Sequence, residues 1–121
     1  MTYETLLFDV KDLLATIVLN RPKAANSLNR TLAHELMMAA IRCDEDPDIR
    51  AVLLTGSGSL FSAGGDLKAF HGFGDDLGQQ LKEITTYLHA ATSRFSRMDP
   101  PLVIAVNGVA AGAGHTFKPF F

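Results

Sequence analysis

The chain has 121 residues and few features that would suggest crosslinks, membranes or nucleic acid. Cys43 is its single cysteine, which excludes an internal disulfide framework. It lies in an apolar helical pattern with nothing nearby to depress its pKa, so it reads as a small core hydrophobe and not as a nucleophile. Continuous apolar runs such as Leu102 to Val106 are far too short to cross a bilayer. A charged N-terminal segment leading into an apolar stretch is lacking, so no secretory signal is expected and a cytoplasmic location follows by default. The net charge is −2 with both signs interspersed, and no broad basic face is visible, which argues against a nucleic-acid partner. Internal repeats and low-complexity tracts are also missing.

Hydrophobic residues make up 47% of the chain, enough to build one small domain. Tyr3 to Val10 and Leu13 to Leu19 are rich in Leu, Val, Ile and aromatics, and Lys11 and Asp12 separate them as the turn of a hairpin. Pro22 closes the second strand because it has no N–H for a ladder. Asn26 or Ser27 is the expected cap of a first helix, whose core positions are Leu28, Leu32, Leu36 and Ala40, with Ala39 and Cys43 alongside. Polar residues Asp44 to Asp48 end it. Ala51 to Thr55 reads as a buried strand. Gly56 to Gly65 is a glycine- and serine-rich loop, Asp66 to Phe70 a short helical turn that Asp66 caps, and His71 to Asp76 a polar connection. From Asp76 a second helix shows Leu77, Leu81, Ile84, Leu88, Ala91, Phe95 and Met98 along one face. Pro100 and Pro101 stop it, and Leu102 to Val106 is expected as another buried strand. Strands alternating with helices predict an α/β layer structure.

Two glycine-rich segments each follow a predicted strand: FSAGGD (Phe61 to Asp66) and NGVAAGAG (Asn107 to Gly114). Each combines Gly with Ala and almost nothing larger, which lets a backbone approach a ligand closely. N–H groups exposed at such turns can point at a developing negative charge. Gly56 to Phe61 and Gly112 to Phe117 each fail the dinucleotide-binding pattern at its third glycine, and neither glycine-rich segment has the Gly-Lys-Ser/Thr end of a phosphate loop, so a nucleotide-binding module is disfavoured.

LNRPKAANSLN (Leu19 to Asn29), DIRAVLLTGSGSLFSAGGDLKAF (Asp48 to Phe70) and PLVIAVNGVAAGAG (Pro101 to Gly114) together resemble the enoyl-CoA hydratase/isomerase, or crotonase, family in residues, order and spacing. The resemblance runs from about Leu13 to Gly114 and implies a crotonase-like spiral of ββα units, of which this chain holds the N-terminal part. It implies an oxyanion hole built from the backbone N–H groups of Gly65 and Ala113. It further implies coenzyme A contacts along the loop of Arg21, Pro22, Lys23, Ala24 and Ala25, and a thioester and pantetheine lining of Ala63, Gly65, Asp66, Leu67 and Lys68. Lys23 and Lys68 are suited to CoA phosphates. The substrate is then an acyl-CoA thioester, with CoA part of the substrate, no separate cofactor and no metal. Trimer-type self-association is the family habit.

The family's hydratases use two glutamates. Thr116 stands where the first belongs, and the chain ends at Phe121, before the second. GVAAGAG looks more like isomerase-type members, whose single downstream carboxylate is also missing. His115 adjoins the hole, while His34, His71 and His89 are isolated. The tail His115 to Phe121 departs from the family, and Pro119 would break the expected helix, so a truncated or frameshifted reading frame is expected over 115–121. The alternative to an enzyme is thus a catalytically inactive remnant, with poor solubility expected of it.

Overall fold

The computed structural model describes residues 2–112. β1 (Leu6–Lys11) and β2 (Leu14–Leu19) form the expected antiparallel hairpin. Its two-residue turn is Asp12–Leu13, one step later than the sequence suggested, because Lys11 stays in register with Leu14. Both turn residues have positive φ, 53° and 70°, the handedness that matches the twist of a tight hairpin.

α1 (Arg30–Glu45) carries the chain from β2 to β3 (Ala51–Gly56). α3 (Leu77–Arg97) carries it on towards β5 (Leu102–Ala105). Between them lie β4 (Leu60–Ser62) and α2 (Leu67–His71), and β6 (Val109–Ala110) follows β5. The polar connection 71–76 is short and partly ordered as a 3₁₀ turn, Gly74–Asp76. The main sheet has the order β1-β2-β3-β5, parallel from β2 onward, and β4 pairs with β6 in a second, small parallel sheet.

Register explains the core. Ile17, Leu54 and Ile104 are aligned across three strands and all point to the same buried face. α1 covers that face with Leu32, Leu36, Ala39, Ala40 and Cys43, and α3 with Leu88, Ala91 and Phe95. The next row, Thr16, Leu53 and Val103, points away, and Val103 is 52% exposed. The expected burial of Leu102 to Val106 is therefore corrected. Within β5 only Ile104 is buried, since the helices cover one side of the sheet and β5 lies at its edge.

The helix cap also differs from expectation. Asn29, not Asn26 or Ser27, caps α1, its side chain accepting from the Leu32 N–H at 2.9 Å. The residue before it, Leu28, stays extended to bridge Gly65, so the helix cannot start earlier. No described helix is long and apolar enough to cross a membrane.

Candidate functional site

The parallel strands β2, β3 and β5 all run towards the same sheet end, where loops 20–29, 57–66 and 106–112 emerge. In α/β folds this carboxyl end is where ligands gather. Two asparagines lace the three loops together. Asn26 is fully buried with φ at 51°, and its side-chain amide donates to the carbonyls of Ser57 (2.9 Å) and Leu60 (3.0 Å). Its Oδ1 accepts from the Arg21 N–H at 2.8 Å. Asn107 accepts from the Gly56 N–H at 3.1 Å and donates to the Gly58 carbonyl at 2.9 Å. Gly56 and Gly108 make room for this lacing. A Cβ on Gly108 would stand 2.0 Å from the Ser59 carbonyl oxygen.

The FSAGGD turn is held on both flanks. Ala63 N–H donates to the Ala25 carbonyl at 3.0 Å, and Ala111 N–H donates to the Ser62 carbonyl at 3.0 Å. Ser62 Oγ donates to the Asn26 carbonyl at 2.8 Å and accepts from the Gly64 N–H at 3.2 Å. Gly64 has φ at +98°, a conformation that glycine adopts without strain. Leu28 and Gly65 then form a parallel bridge. Leu28 N–H donates to the Gly64 carbonyl (2.7 Å) and Asp66 N–H donates to the Leu28 carbonyl (3.0 Å). In such a bridge the groups of the residues flanking Gly65 turn towards Leu28, and those of Gly65 turn the other way. The Gly65 N–H has no hydrogen-bond partner among the described residues.

The second glycine segment reaches the same place. A Cβ on Gly112, whose φ is +50°, would sit 3.6 Å from the Gly64 Cα. The two segments thus converge backbone to backbone. Ala113, the expected second donor, lies outside the described residues, as do His115, Thr116, Pro119 and the rest of the tail.

Asp66 caps α2 as expected, accepting from the Ala69 N–H at 3.0 Å. Its other oxygen pairs with Arg21 Nη2 at 3.1 Å. The Ala69 N–H, with help from Arg21, holds the Asp66 carboxyl below the usual carboxylate range against the opposing effect of burial. With both oxygens engaged, Asp66 is a poor proton acceptor for anything bound at Gly65.

Lys23 and Lys68 are both exposed, and neither joins an ion pair among the described residues. Ala24 and Ala25 are half-buried, Ala63 is exposed, and Leu67 is 77% exposed. A surface depression of about 460 Å³ borders the Lys23 loop, lined by Glu4, Thr5, Asn20, Arg21, Pro22, Lys23 and Ala24. Gly65 is not among its lining residues, so Lys23 and Gly65 do not share that depression. Arg21, Ser62 and Asn107 lay within segments the sequence had marked, but their bracing roles, and the part played by Asn26, were not read from it. For Asn107 the available signal was an asparagine followed by glycine just after a strand; Asn26, between Ala25 and Ser27, carried no such signal.

A family model described as enoyl-CoA hydratase/isomerase matches residues 9–120. The chain is 37% identical over 116 residues to a Mycobacterium bovis protein named "probable enoyl-CoA hydratase", spanning 94% of this chain and 42% of that one. It is 36% identical over 117 residues to the 1,2-epoxyphenylacetyl-CoA isomerase of Escherichia coli, spanning 93% of this chain and 44% of the relative. A Pseudomonas aeruginosa structure superposes with a TM-score of 0.86 at 37% identity, covering 96% of this chain and 50% of the other. The enoyl-CoA hydratase of Bacillus anthracis superposes equally well, with a TM-score of 0.86 at 28% identity, covering 97% of this chain and 45% of the other. The chain therefore spans less than half the length of these curated relatives, and its α/β fold is that of the matching part of crotonase structures.

Proposed function

The chain belongs to the enoyl-CoA hydratase/isomerase family, and from that premise we propose that it binds an acyl-CoA thioester with the carbonyl oxygen on the Gly65 N–H. The observation that carries this reading is the unpaired Gly65 N–H, turned away from the Leu28 bridge and set where the two glycine segments meet. The family resemblance assigns the second donor of the hole to Ala113. Two converging N–H groups stabilise an enolate oxygen, and losing one such donor costs roughly 3–4 kcal/mol of transition-state stabilisation. The CoA moiety lies along Lys23, Ala24 and Ala25, with Lys68 near its phosphates and Ala63, Asp66 and Leu67 beside the thioester. CoA enters as part of the substrate, with no further cofactor.

Chemistry beyond polarising the carbonyl needs a group that moves a proton. The carboxylate adjoining the proposed hole, Asp66, is tied to Ala69 and Arg21, and residue 116, where the resemblance implies the first hydratase glutamate, is Thr. This favours an isomerase-like over a hydratase-like site, and it equally supports a second reading, an acyl-CoA binder without turnover. Incubation with a short trans-2-enoyl-CoA separates them. Loss of the conjugated-thioester absorbance above background sinks the binder reading, and binding without such loss sinks the enzyme reading. Calorimetric titration with acyl-CoA against ATP tests the shared premise. Equal or tighter binding of ATP would remove it.

A further inference from the structure

Arg21 touches both sides of the bridge that aims Gly65. Its Nη1 donates to the Ser27 carbonyl at 2.5 Å and to Ser27 Oγ at 3.3 Å, and its Nη2 donates to Asp66 Oδ2 at 3.1 Å. Ser27 immediately precedes Leu28, and Asp66 immediately follows Gly65. One planar guanidinium therefore staples together the two segments that form the bridge. The base of the staple is fixed too, since Arg21 N–H donates to Asn26 and its carbonyl accepts from Ala24 and Asn26. The side chains of Arg21 and Asp66 are only 19% and 14% exposed, so water competes weakly for their bonds. A fork of this shape can serve two separate acceptors in fixed directions, which the point charge of a lysine cannot.

We propose that Arg21 is a positioning residue, which fixes the direction of the Gly65 N–H by clamping Ser27 and Asp66 on either side of the Leu28–Gly65 bridge. The inference rests on the oxyanion reading given above. It adds a link between the two halves of the site. Arg21 opens the loop that continues into Lys23, Ala24 and Ala25, so the segment assigned to CoA and the donor assigned to the carbonyl are parts of one braced unit.

The test compares the wild-type chain with Arg21→Lys and Asp66→Asn. The asparagine keeps an oxygen for the Ala69 N–H while removing the charge that Arg21 grips. The infrared carbonyl stretch of bound crotonyl-CoA reports the hydrogen bond in the hole, and affinity for CoA itself reports the loop. Amide exchange at Leu28 and Asp66 reports the bridge, with Val52 and Leu54 amides as the control for an intact sheet. The expected result is a lowered carbonyl frequency in the wild type that both variants largely lose, with CoA affinity weakened as well because the loop shares the Arg21 brace. Exchange at Leu28 and Asp66 should be about tenfold faster or more in both variants, with the sheet amides unmoved. A wild-type frequency shift that survives in both variants, or unchanged exchange at Leu28 and Asp66, overturns the clamp alone. A wild type that binds crotonyl-CoA with no frequency shift overturns the oxyanion reading, and the clamp's functional role falls with it.

Discussion

Replacing Asn26 with alanine should weaken the whole fold, although Asn26 belongs to neither the helices nor the main sheet. The substitution removes three hydrogen bonds, to the Arg21 N–H and to the carbonyls of Ser57 and Leu60. At a net value of about 1 kcal/mol each, their loss costs about 3 kcal/mol. Leu60 retains a longer bond from Asn107 at 3.4 Å, which softens its share. Asn26 also sits at φ 51°. Asparagine tolerates that region, whereas alanine pays about 1 kcal/mol to enter it. The sum is about 4 kcal/mol, a large fraction of the ~5–15 kcal/mol that holds a typical domain. Urea unfolding followed by far-ultraviolet circular dichroism measures it. Asn26→Gly separates the two contributions, because it loses the same bonds without the backbone strain and should come out about 1 kcal/mol milder than alanine. A loss below about 1 kcal/mol for Asn26→Ala would refute the view that this side chain laces the loops together.

Gly108→Ala should be worse than an ordinary surface change. Its Cβ would meet the Ser59 backbone at 2.0 Å, so β4 and β6 must separate, at a cost of roughly 3 kcal/mol or more. A denaturation midpoint like that of the wild type would show that the close approach is absent. The depressed pKa of Asp66 gives stability that is fully present above the ordinary carboxylate range and is lost as pH falls through the folded value. Asp66→Asn should therefore flatten the acid limb of a stability-versus-pH curve, and an unchanged limb would contradict the pairing. Burial pushes the Cys43 thiol up to about 12, so it should not react with Ellman's reagent at neutral pH until urea unfolds the chain. Rapid labelling of the native protein would disprove its placement in the core.

Much of the fold was legible because its signals are local. The apolar spacing of Leu32, Leu36, Ala40, Ile84, Leu88 and Phe95 marked both helices, and each of these residues is buried. The hairpin and the short helix capped by Asp66 were legible for the same reason. The errors came from tertiary decisions. Asn26 looked like a helix cap, but its side chain is spent on Ser57 and Leu60, more than thirty residues away. Val103 looked buried by its apolar company, yet only the packing of both helices on one face decides which side of β5 is covered. At the site, the small residues of FSAGGD announced a close backbone approach. The Arg21–Asp66 pair did not announce itself, because its partners are 45 residues apart and each has a ready local explanation, one as loop cation and the other as cap.

The central claim is that the Gly65 N–H waits for a thioester carbonyl. A titration of the ¹⁵N-labelled chain observed at the Gly65 amide tests it directly, comparing a non-reactive acyl-CoA thioester with CoA lacking the acyl group. The Gly65 proton should move downfield with the thioester, as a donor does on gaining an acceptor, and should stay in place with CoA alone. A Gly65 resonance that ignores the thioester while the loop amides around Lys23 respond would contradict the claim.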